Sequence, residues 1–95
     1  MRVISMRPLR EFWAEHPEAQ APLRRWHWIA KRAAWVDFAT LRRDFPNADA
    51  VGDYIVFNIG GNKYRLIAEI DHVWGKVFVR AILTHREYDK GDWKS

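Results

Sequence analysis

Five side chains suited to proton transfer and anion binding lie in the second half of this 95-residue chain. They are Lys63, Arg65, Arg80, His85 and Tyr88. An imidazole has a reference pKa of roughly 6.5, so both of its protonation states exist near neutral pH. A guanidinium stays ionised and can bind two oxygens of one anion. If the fold brings these side chains together, they form a site for acid–base chemistry on an anionic substrate.

The register of a hairpin decides which face of the sheet each of these side chains occupies. The dipeptide Gly60-Gly61 separates two apolar runs and can take positive φ at both positions, as a tight two-residue turn requires. This turn predicts Ile59 opposite Asn62 and Phe57 opposite Tyr64. Alternation along the strands then predicts a core face formed by Ile55, Phe57, Tyr64, Leu66, Ala68 and Ile70. The predicted opposite face carries Val56, Asn58, Lys63, Arg65, Ile67 and Glu69.

A second hairpin is predicted at Trp74-Gly75, with a returning strand from Lys76 to Leu83. This register pairs three sets of apolar residues on the core face, namely Ile70 with Val79, Ala68 with Ala81, and Leu66 with Leu83. On the opposite face it pairs Glu69 with Arg80 and places Arg65 beside Thr84. The five candidate side chains are therefore expected to converge at one end of the sheet.

The first half of the chain predicts helices. The expected elements are a strand at Arg2–Ser5, helices at Pro8–His16, Glu18–Ala34 and Asp37–Asp44, a loop at Pro46–Gly52 and a short tail at Gly91–Ser95. Ser5 and Asp37 are candidate helix caps. This order predicts one domain spanning residues 1–95 with an α+β fold. Two to three helices pack on one face of an antiparallel sheet of three to four strands, and the other face stays open.

The composition narrows the class of protein. Hydrophobic residues make up 48% and aromatic residues 15%, which predicts a folded chain. Cysteine is absent, which excludes disulfides and thiolate chemistry and fits a reducing cytoplasm. The N-terminus lacks the apolar core of a signal peptide, and no run approaches the ~20 apolar residues of a membrane span. Sixteen Lys and Arg against 12 acidic residues give a charge of +4, which favours an anionic partner such as nucleic acid.

Two segments carry a resemblance to a known family. They are YIVFNIGGNKYRLI at residues 54–67 and VRAILTHREYD at residues 79–89. With the length and helix placement, they resemble the HigB family of toxins from bacterial type II toxin–antitoxin modules, within the wider RelE-like group of small ribonucleases. The resemblance covers the whole domain. It implies a RelE-like fold, cleavage of mRNA on the ribosome and inhibition by a HigA-like antitoxin with a helix-turn-helix domain.

RNA can be cleaved without a metal because its own 2′-hydroxyl is the nucleophile. The protein then has to remove the 2′ proton, stabilise the phosphorane and protonate the departing 5′ oxygen. The predicted catalytic residues are His85, Arg65, Tyr88 and Arg80, with either His85 or Tyr88 as the general base. The predicted RNA-binding residues are Lys63, Asn58, Asn62 and Arg86. His16, His27 and His72 lack the spacing of a metal site, and no cofactor is expected.

Several of these residues also have plainer interpretations. Arg80 opposite Glu69 fits a cross-strand ion pair. Tyr88 suits packing as well as reaction, and His85 suits a cap at the corner after the last strand. Two other functions remain open, namely a non-cleaving toxin of the same fold, as in the gyrase-inhibiting type, and an RNA-binding adaptor.

Overall fold

The computed structural model describes residues 1–94 and contains five strands and four α-helices there. The strands are β1 (Arg2–Ile4), β2 (Asp49–Val51), β3 (Tyr54–Ile59), β4 (Tyr64–Asp71) and β5 (Lys76–Thr84). The α-helices are α1 (Arg7–Glu15), α2 (Gln20–Arg32), α3 (Phe38–Asp44) and α4 (His85–Lys90), and short 3-10 helices span Pro17–Ala19 and Asp92–Lys94. Ser95, the end of the predicted tail, lies outside the described residues. Within residues 1–94, no helix has the length and apolarity needed to cross a bilayer.

The sheet has the order β1-β5-β4-β3-β2. The edge strand β1 runs parallel to β5, and the other neighbours are antiparallel. The α+β class is confirmed, but the sheet is mixed and has five strands instead of three to four. The additional strand is β2, which lies in the segment predicted as a loop. A turn at Gly52-Asp53 returns the chain so that Val51 pairs with Tyr54.

The three predicted helices agree with the structure apart from their ends, but α4 is a fourth helix where two to three were predicted. The predicted second helix is divided into the 3-10 turn Pro17–Ala19 and α2. Asp37 caps α3 as predicted, because its Oδ1 accepts a hydrogen bond of 2.8 Å from the N–H of Thr40. The cap position of α1 is Met6, whereas Ser5 accepts a bond of 3.2 Å from the N–H of Arg7.

The core lies between α1, α2 and α3 and one face of the sheet. Phe57 is fully buried at its centre. The ring centroids of Phe45, Trp26 and Trp35 lie 5.1, 5.5 and 6.2 Å from its own. Such aromatic contacts each add a little to the burial of apolar area. The predicted core positions Leu66 and Ala68 are also fully buried.

The first hairpin differs from its predicted register by two residues. Ile59 pairs with Tyr64 and Phe57 with Leu66, so the turn contains four residues, Gly60 to Lys63. The observed pairing puts apolar Ile59 opposite an aromatic ring instead of opposite Asn62, which is the more favourable cross-strand pair. A slip of two residues preserves the face of every side chain, so the predicted assignment to faces is correct.

The second hairpin differs more, because a β-bulge follows its turn. The carboxylate of Asp71 accepts bonds from the N–H groups of Val73 and Trp74 at 3.1 and 3.0 Å, and this local turn ends β4 early. Ala68 pairs with Val79 but Ile67 with Ala81, which leaves Arg80 as the extra residue.

The bulge reverses the faces of the residues that follow it. Ile82 now shares the core face with Leu66, and Leu83 shares the other face with Arg65. The predicted core positions of Ala81 and Leu83 are therefore wrong.

The second face of the sheet is not open. Val56 and Ile67 on this face are 2% and 1% exposed. The chain turns at Thr84 into α4, which contacts β4 and β5, and the following 3-10 turn places Trp93 against Tyr54 with 6.0 Å between ring centroids. The residues predicted as a tail therefore help to cover this face.

A hydrogen bond from the Tyr64 hydroxyl to Glu18 joins β4 to the helical layer. It lowers the pKa of Glu18 below its ordinary value of 4.5 and raises the pKa of Tyr64 to about 12. Ionised Glu18 therefore stabilises the folded state. This stabilisation is lost as the pH falls from 4.5 through the lowered pKa of the carboxyl group. Tyr64 adds stability that is lost as the pH rises from 10 to about 12.

We predict that Tyr64→Phe makes the free energy of unfolding less dependent on pH at both ends of the range. Urea denaturation of both proteins between pH 3 and 12 measures this. Glu18→Gln should produce the same flattening, whereas Glu11→Gln, which changes an exposed pair with Arg7, should not. Parallel pH profiles for the parent chain and Tyr64→Phe would show that the bond does not link the two layers.

Candidate active site

Arg65 is a buried cation at the centre of the candidate site. Its side chain leaves β4 on the second face and is 7% exposed. Its Nη1 donates to the carbonyl oxygens of Asn62 and Tyr64 at 3.2 and 3.1 Å. Its Nη2 donates to Oδ1 of Asn62 at 2.6 Å and lies 3.1 Å from Nδ1 of His85. Within residues 1–94 no carboxylate forms an ion pair with it.

His85 is placed by the start of α4 and by the turn after β3. The hydroxyl of Thr84 accepts a bond from the N–H of Glu87, and Oε1 of Glu87 accepts one from the N–H of Thr84. This capping box starts the helix at His85. The N–H of His85 donates to the carbonyl of Lys63 at 2.9 Å, which fixes the helix start against the turn.

The two ring nitrogens of His85 have different surroundings. Nε2 lies 3.0 Å from Oδ2 of Asp89, one helical turn later. Nδ1 lies between Nη2 of Arg65 at 3.1 Å and the carbonyl oxygen of Asn62 at 3.2 Å. Arg65 only donates, so a neutral ring accepts at Nδ1 and keeps its proton on Nε2, facing Asp89. A protonated ring donates from Nδ1 to Asn62. In both states Nε2 holds a proton, and Nδ1 is the atom that gains or loses one.

Tyr88 packs within the site. The guanidinium carbon of Arg65 lies 5.4 Å from the centre of its ring. The ring of Trp93 stacks on it at 5.3 Å with an interplanar angle of 17°. The indole N–H of Trp93 also donates to the carbonyl of Tyr88 at 3.3 Å. Tyr88 therefore packs, as its plainer interpretation predicts, and this packing holds the phenol ring beside the guanidinium of Arg65.

The predicted RNA-binding residues surround this cluster. Asn62 supplies both of its oxygens to Arg65, and Asn58 is half-buried and pairs with Arg65 across the strands. Lys63 in the turn and Arg86 on α4 are both exposed. The bond from Tyr64 is the main cause of the lowered pKa of Glu18, and the charge of Lys63 adds to it.

Arg80 stands apart from the cluster. As the bulged residue of β5 it donates from Nε to Oε1 of Glu69 at 2.7 Å, and its guanidinium lies 5.2 Å from the centre of the Phe78 ring. Four residues of extended strand separate it from Thr84, roughly 13 Å. The predicted ion pair with Glu69 is confirmed, although the bulge and not a direct cross-strand register brings the two together.

Two supporting residues were not among the predicted site residues. Asp89 contacts Nε2 of His85. The spacing in the sequence indicates this contact, because residues four apart lie on the same face of a helix. Trp93 holds Tyr88, and its role follows only from the path of the chain across the second face. In residues 1–94 no three histidine, aspartate or glutamate side chains are grouped to hold a metal ion.

The geometry combines a titratable imidazole with a buried guanidinium that lacks a carboxylate partner. A buried cation in this situation attracts an anion from outside the protein. The cluster is therefore suited to proton transfer at an anionic group bound beside Arg65.

Comparison with known proteins places the chain in a family context. Residues 19–91 match the family model described as HigB_toxin, RelE-like toxic component of a toxin–antitoxin system. The chain is 34% identical to the mRNA interferase HigB of Escherichia coli O6:H1 (strain CFT073), over 95% of this chain and 90% of that protein. It is 26% identical to the mRNA interferase toxin HigB of Escherichia coli K12, over 94% and 88%. The matched range includes Arg65, His85 and Tyr88.

We predict that Trp93→Ala lowers the free energy of unfolding by about 1–3 kcal/mol, because it exposes Tyr88 and Tyr54. Chemical denaturation measures the loss. The matched control is Trp74→Ala, which removes an indole that is 75% exposed and should cost less than about 0.5 kcal/mol. Equal losses for the two variants would mean that Trp93 does not secure the second face.

Proposed function

Because the chain belongs to the HigB family of RelE-like toxic components of toxin–antitoxin systems, we propose that it cleaves mRNA at the cluster of Arg65, His85 and Tyr88. The observation that carries this proposal is the contact of 3.1 Å between a buried, carboxylate-free guanidinium and Nδ1 of His85. The relatives named as mRNA interferases support the choice of substrate.

Arg65 binds the scissile phosphate in this proposal. Its guanidinium is already desolvated, so a phosphate that reaches it gains more than it would at an exposed arginine. Two of its present contacts, to Oδ1 of Asn62 and Nδ1 of His85, are on Nη2. Binding of phosphate at Nη2 replaces them and frees Nδ1 for the substrate.

His85 transfers the proton through Nδ1. Removal of the 2′ proton by Nδ1 lets the 2′ oxygen attack phosphorus, and the bond to the 5′ oxygen then breaks. The products are a 2′,3′-cyclic phosphate and a 5′-hydroxyl once the 5′ oxygen receives a proton. Arg65 compensates the charge that develops on the phosphorane. Asp89 keeps the other nitrogen protonated and stabilises the imidazolium that forms.

The other predicted residues have supporting roles in the proposal. The phenol of Tyr88 is the candidate donor to the 5′ oxygen, and its ring is the surface on which a base stacks. Lys63, Asn58, Asn62 and Arg86 contact the RNA on either side of the scissile bond. No metal is required in this scheme.

Arg80 remains a predicted catalytic residue whose charge is already paired with Glu69. We place it at the edge of the substrate, where it contacts a flanking phosphate. The Arg80→Ala variant distinguishes a catalytic role from a contact with a flanking phosphate.

The proposed setting is the cytoplasm, where mRNA is held on the ribosome during cleavage. The proposed inhibitor is a HigA-like antitoxin with a helix-turn-helix domain. Exposed arginines on α2 and α3 are available for contacts with ribosomal RNA, and such contacts should weaken steeply as salt rises.

We predict that His85→Ala and Arg65→Ala each lower the rate of mRNA cleavage by about 10²- to 10⁴-fold. Mapping of 5′ ends after brief induction measures the effect, with unfolding curves to show that the variants fold. Arg65→Lys should not restore the rate, because an ammonium lacks the forked donor geometry. Arg80→Ala is the arginine control and should cost less than about tenfold. Growth arrest without new RNA ends would favour the non-cleaving toxin, and tolerated expression with salt-sensitive RNA binding would favour the adaptor.

We further predict that Asp89→Asn lowers the cleavage rate by about 10- to 100-fold, since a carboxylate hydrogen-bonded to one ring nitrogen orients the imidazole and fixes its tautomer. Nitrogen NMR of the His85 ring provides a readout separate from activity. The parent protein should show the neutral tautomer with its proton on Nε2, and the variant should show a mixture. An unchanged tautomer together with an unchanged rate would show that Asp89 does not orient the ring of His85.

A further inference from the structure

We propose that a groove at the far end of the β4–β5 hairpin binds an acidic, amphipathic segment of the antitoxin. The groove is a cavity of about 750 Å³. Its lining includes Arg2, Lys31, Val36, Val73 and Trp74. We call it the hairpin-tip groove. The inference depends on membership of a toxin–antitoxin family and not on the cleavage mechanism.

The exposed large hydrophobic residues of the described chain collect at this place. Val73 is 87% exposed, Trp74 75%, Val36 70% and Trp28 58%. The first three line the hairpin-tip groove, and Trp28 lines the adjoining cavity, which shares His27 and Lys31 with it. Clustered apolar side chains of this size mark a binding surface, whereas single exposed ones do not.

The walls of the groove are fixed to one another. Nδ1 of His72, in the hairpin turn, lies 2.8 Å from the carbonyl oxygen of Trp35, in the segment between α2 and α3. Trp35 is itself anchored by a bond of 2.8 Å from its indole N–H to Asp44. The N-terminal amine donates to the carbonyl of Ala33 on the same side. The groove is therefore preformed, which reduces the entropic cost of binding.

The charge around the groove selects an acidic occupant. Among the described residues that line the two cavities, none is acidic, and the cations are Arg2, Arg10, Arg24, Lys31 and Arg32. The guanidinium of Arg32 lies 4.4 Å from the centre of the Trp28 ring, which holds it at the rim. Apolar anchors in the groove with carboxylates at its rim would satisfy both features.

The chemistry favours a protein segment over RNA. Val36 and Val73 offer aliphatic surface that neither stacks on a base nor binds a phosphate. Tryptophan and arginine beside aliphatic side chains are instead typical of the centre of protein interfaces. The antitoxin is the protein partner that the family supplies. The groove lies at the opposite end of β4 from Arg65, roughly 20 Å away along the strand.

Binding of the purified cognate antitoxin to the full-length chain tests this proposal. We expect Trp74→Ser and Arg32→Glu each to raise the Kd on the order of tenfold or more. Arg43→Glu is the matched control, because Arg32 and Arg43 both lie in the last turn of a helix, and Arg43 lines neither the groove nor the adjoining cavity, which Arg32 lines. It should change the Kd less than about threefold. Trp74→Ser should fold normally, since its indole is 75% exposed.

Hydrogen exchange of the unmodified complex gives a second measurement that needs no variant. Antitoxin binding should protect residues 31–36 and 72–76. The proposal is overturned if Trp74→Ser and Arg32→Glu bind within threefold of the parent chain, or if protection is confined to residues 62–65 and 84–89. It is also overturned if Trp74→Ser weakens binding of a single-stranded RNA oligonucleotide and not of the antitoxin. Loss of cleavage in any of these proteins bears on the proposed function and leaves this test unaffected.

Discussion

The guanidinium of Arg65 joins the turn after β3 to helix α4. It binds two oxygens of Asn62 in the turn after β3, contacts Nδ1 of His85 at the start of α4, and lies over the ring of Tyr88. Its charge is buried without a carboxylate partner in the described chain, so backbone and amide oxygens, Nδ1 of His85 and the Tyr88 ring take the place of water around it. That arrangement keeps the charge available for a phosphate, and it also sets the position of the imidazole.

The second face of the sheet supports this cluster. A capping box at Thr84 and Glu87 starts α4, and Gly91 ends it in a left-handed conformation at φ 76°. The chain then crosses back so that Trp93 covers Tyr54 and stacks on Tyr88. The phenol ring and the guanidinium are thereby held by packing, while the ring of His85 remains partly exposed. Rigid support under an accessible reactive group is the arrangement that catalysis requires.

The sequence predicts the class of fold, the faces of the first hairpin and the meeting of Arg65, His85 and Tyr88, because these depend on alternation and on a glycine turn. It does not predict the turn at Asp71 that ends β4 early, or the bulge at Arg80 that exchanges the faces of the residues after it. Nor does it predict the four-residue turn, since Gly60-Gly61 satisfies a two-residue turn equally well by local rules. Trp93 lies beyond local patterns for a related reason, because its contact with Tyr54 is fixed by the return of the chain over the sheet. The contact of Asp89 with His85 is local, since four residues separate them on α4.

The most direct test of the account is the chemistry of the RNA ends that the purified toxin produces in a translating extract. Attack by the 2′-hydroxyl, with His85 and Arg65 as the acting groups, predicts a 5′-hydroxyl on one fragment and a 2′,3′-cyclic phosphate on the other. A kinase that labels only 5′-hydroxyl ends should therefore label the new fragments directly. Fragments that carry a 5′-phosphate would require attack by water, and they would contradict the central claim that this cluster cleaves RNA through its own hydroxyl.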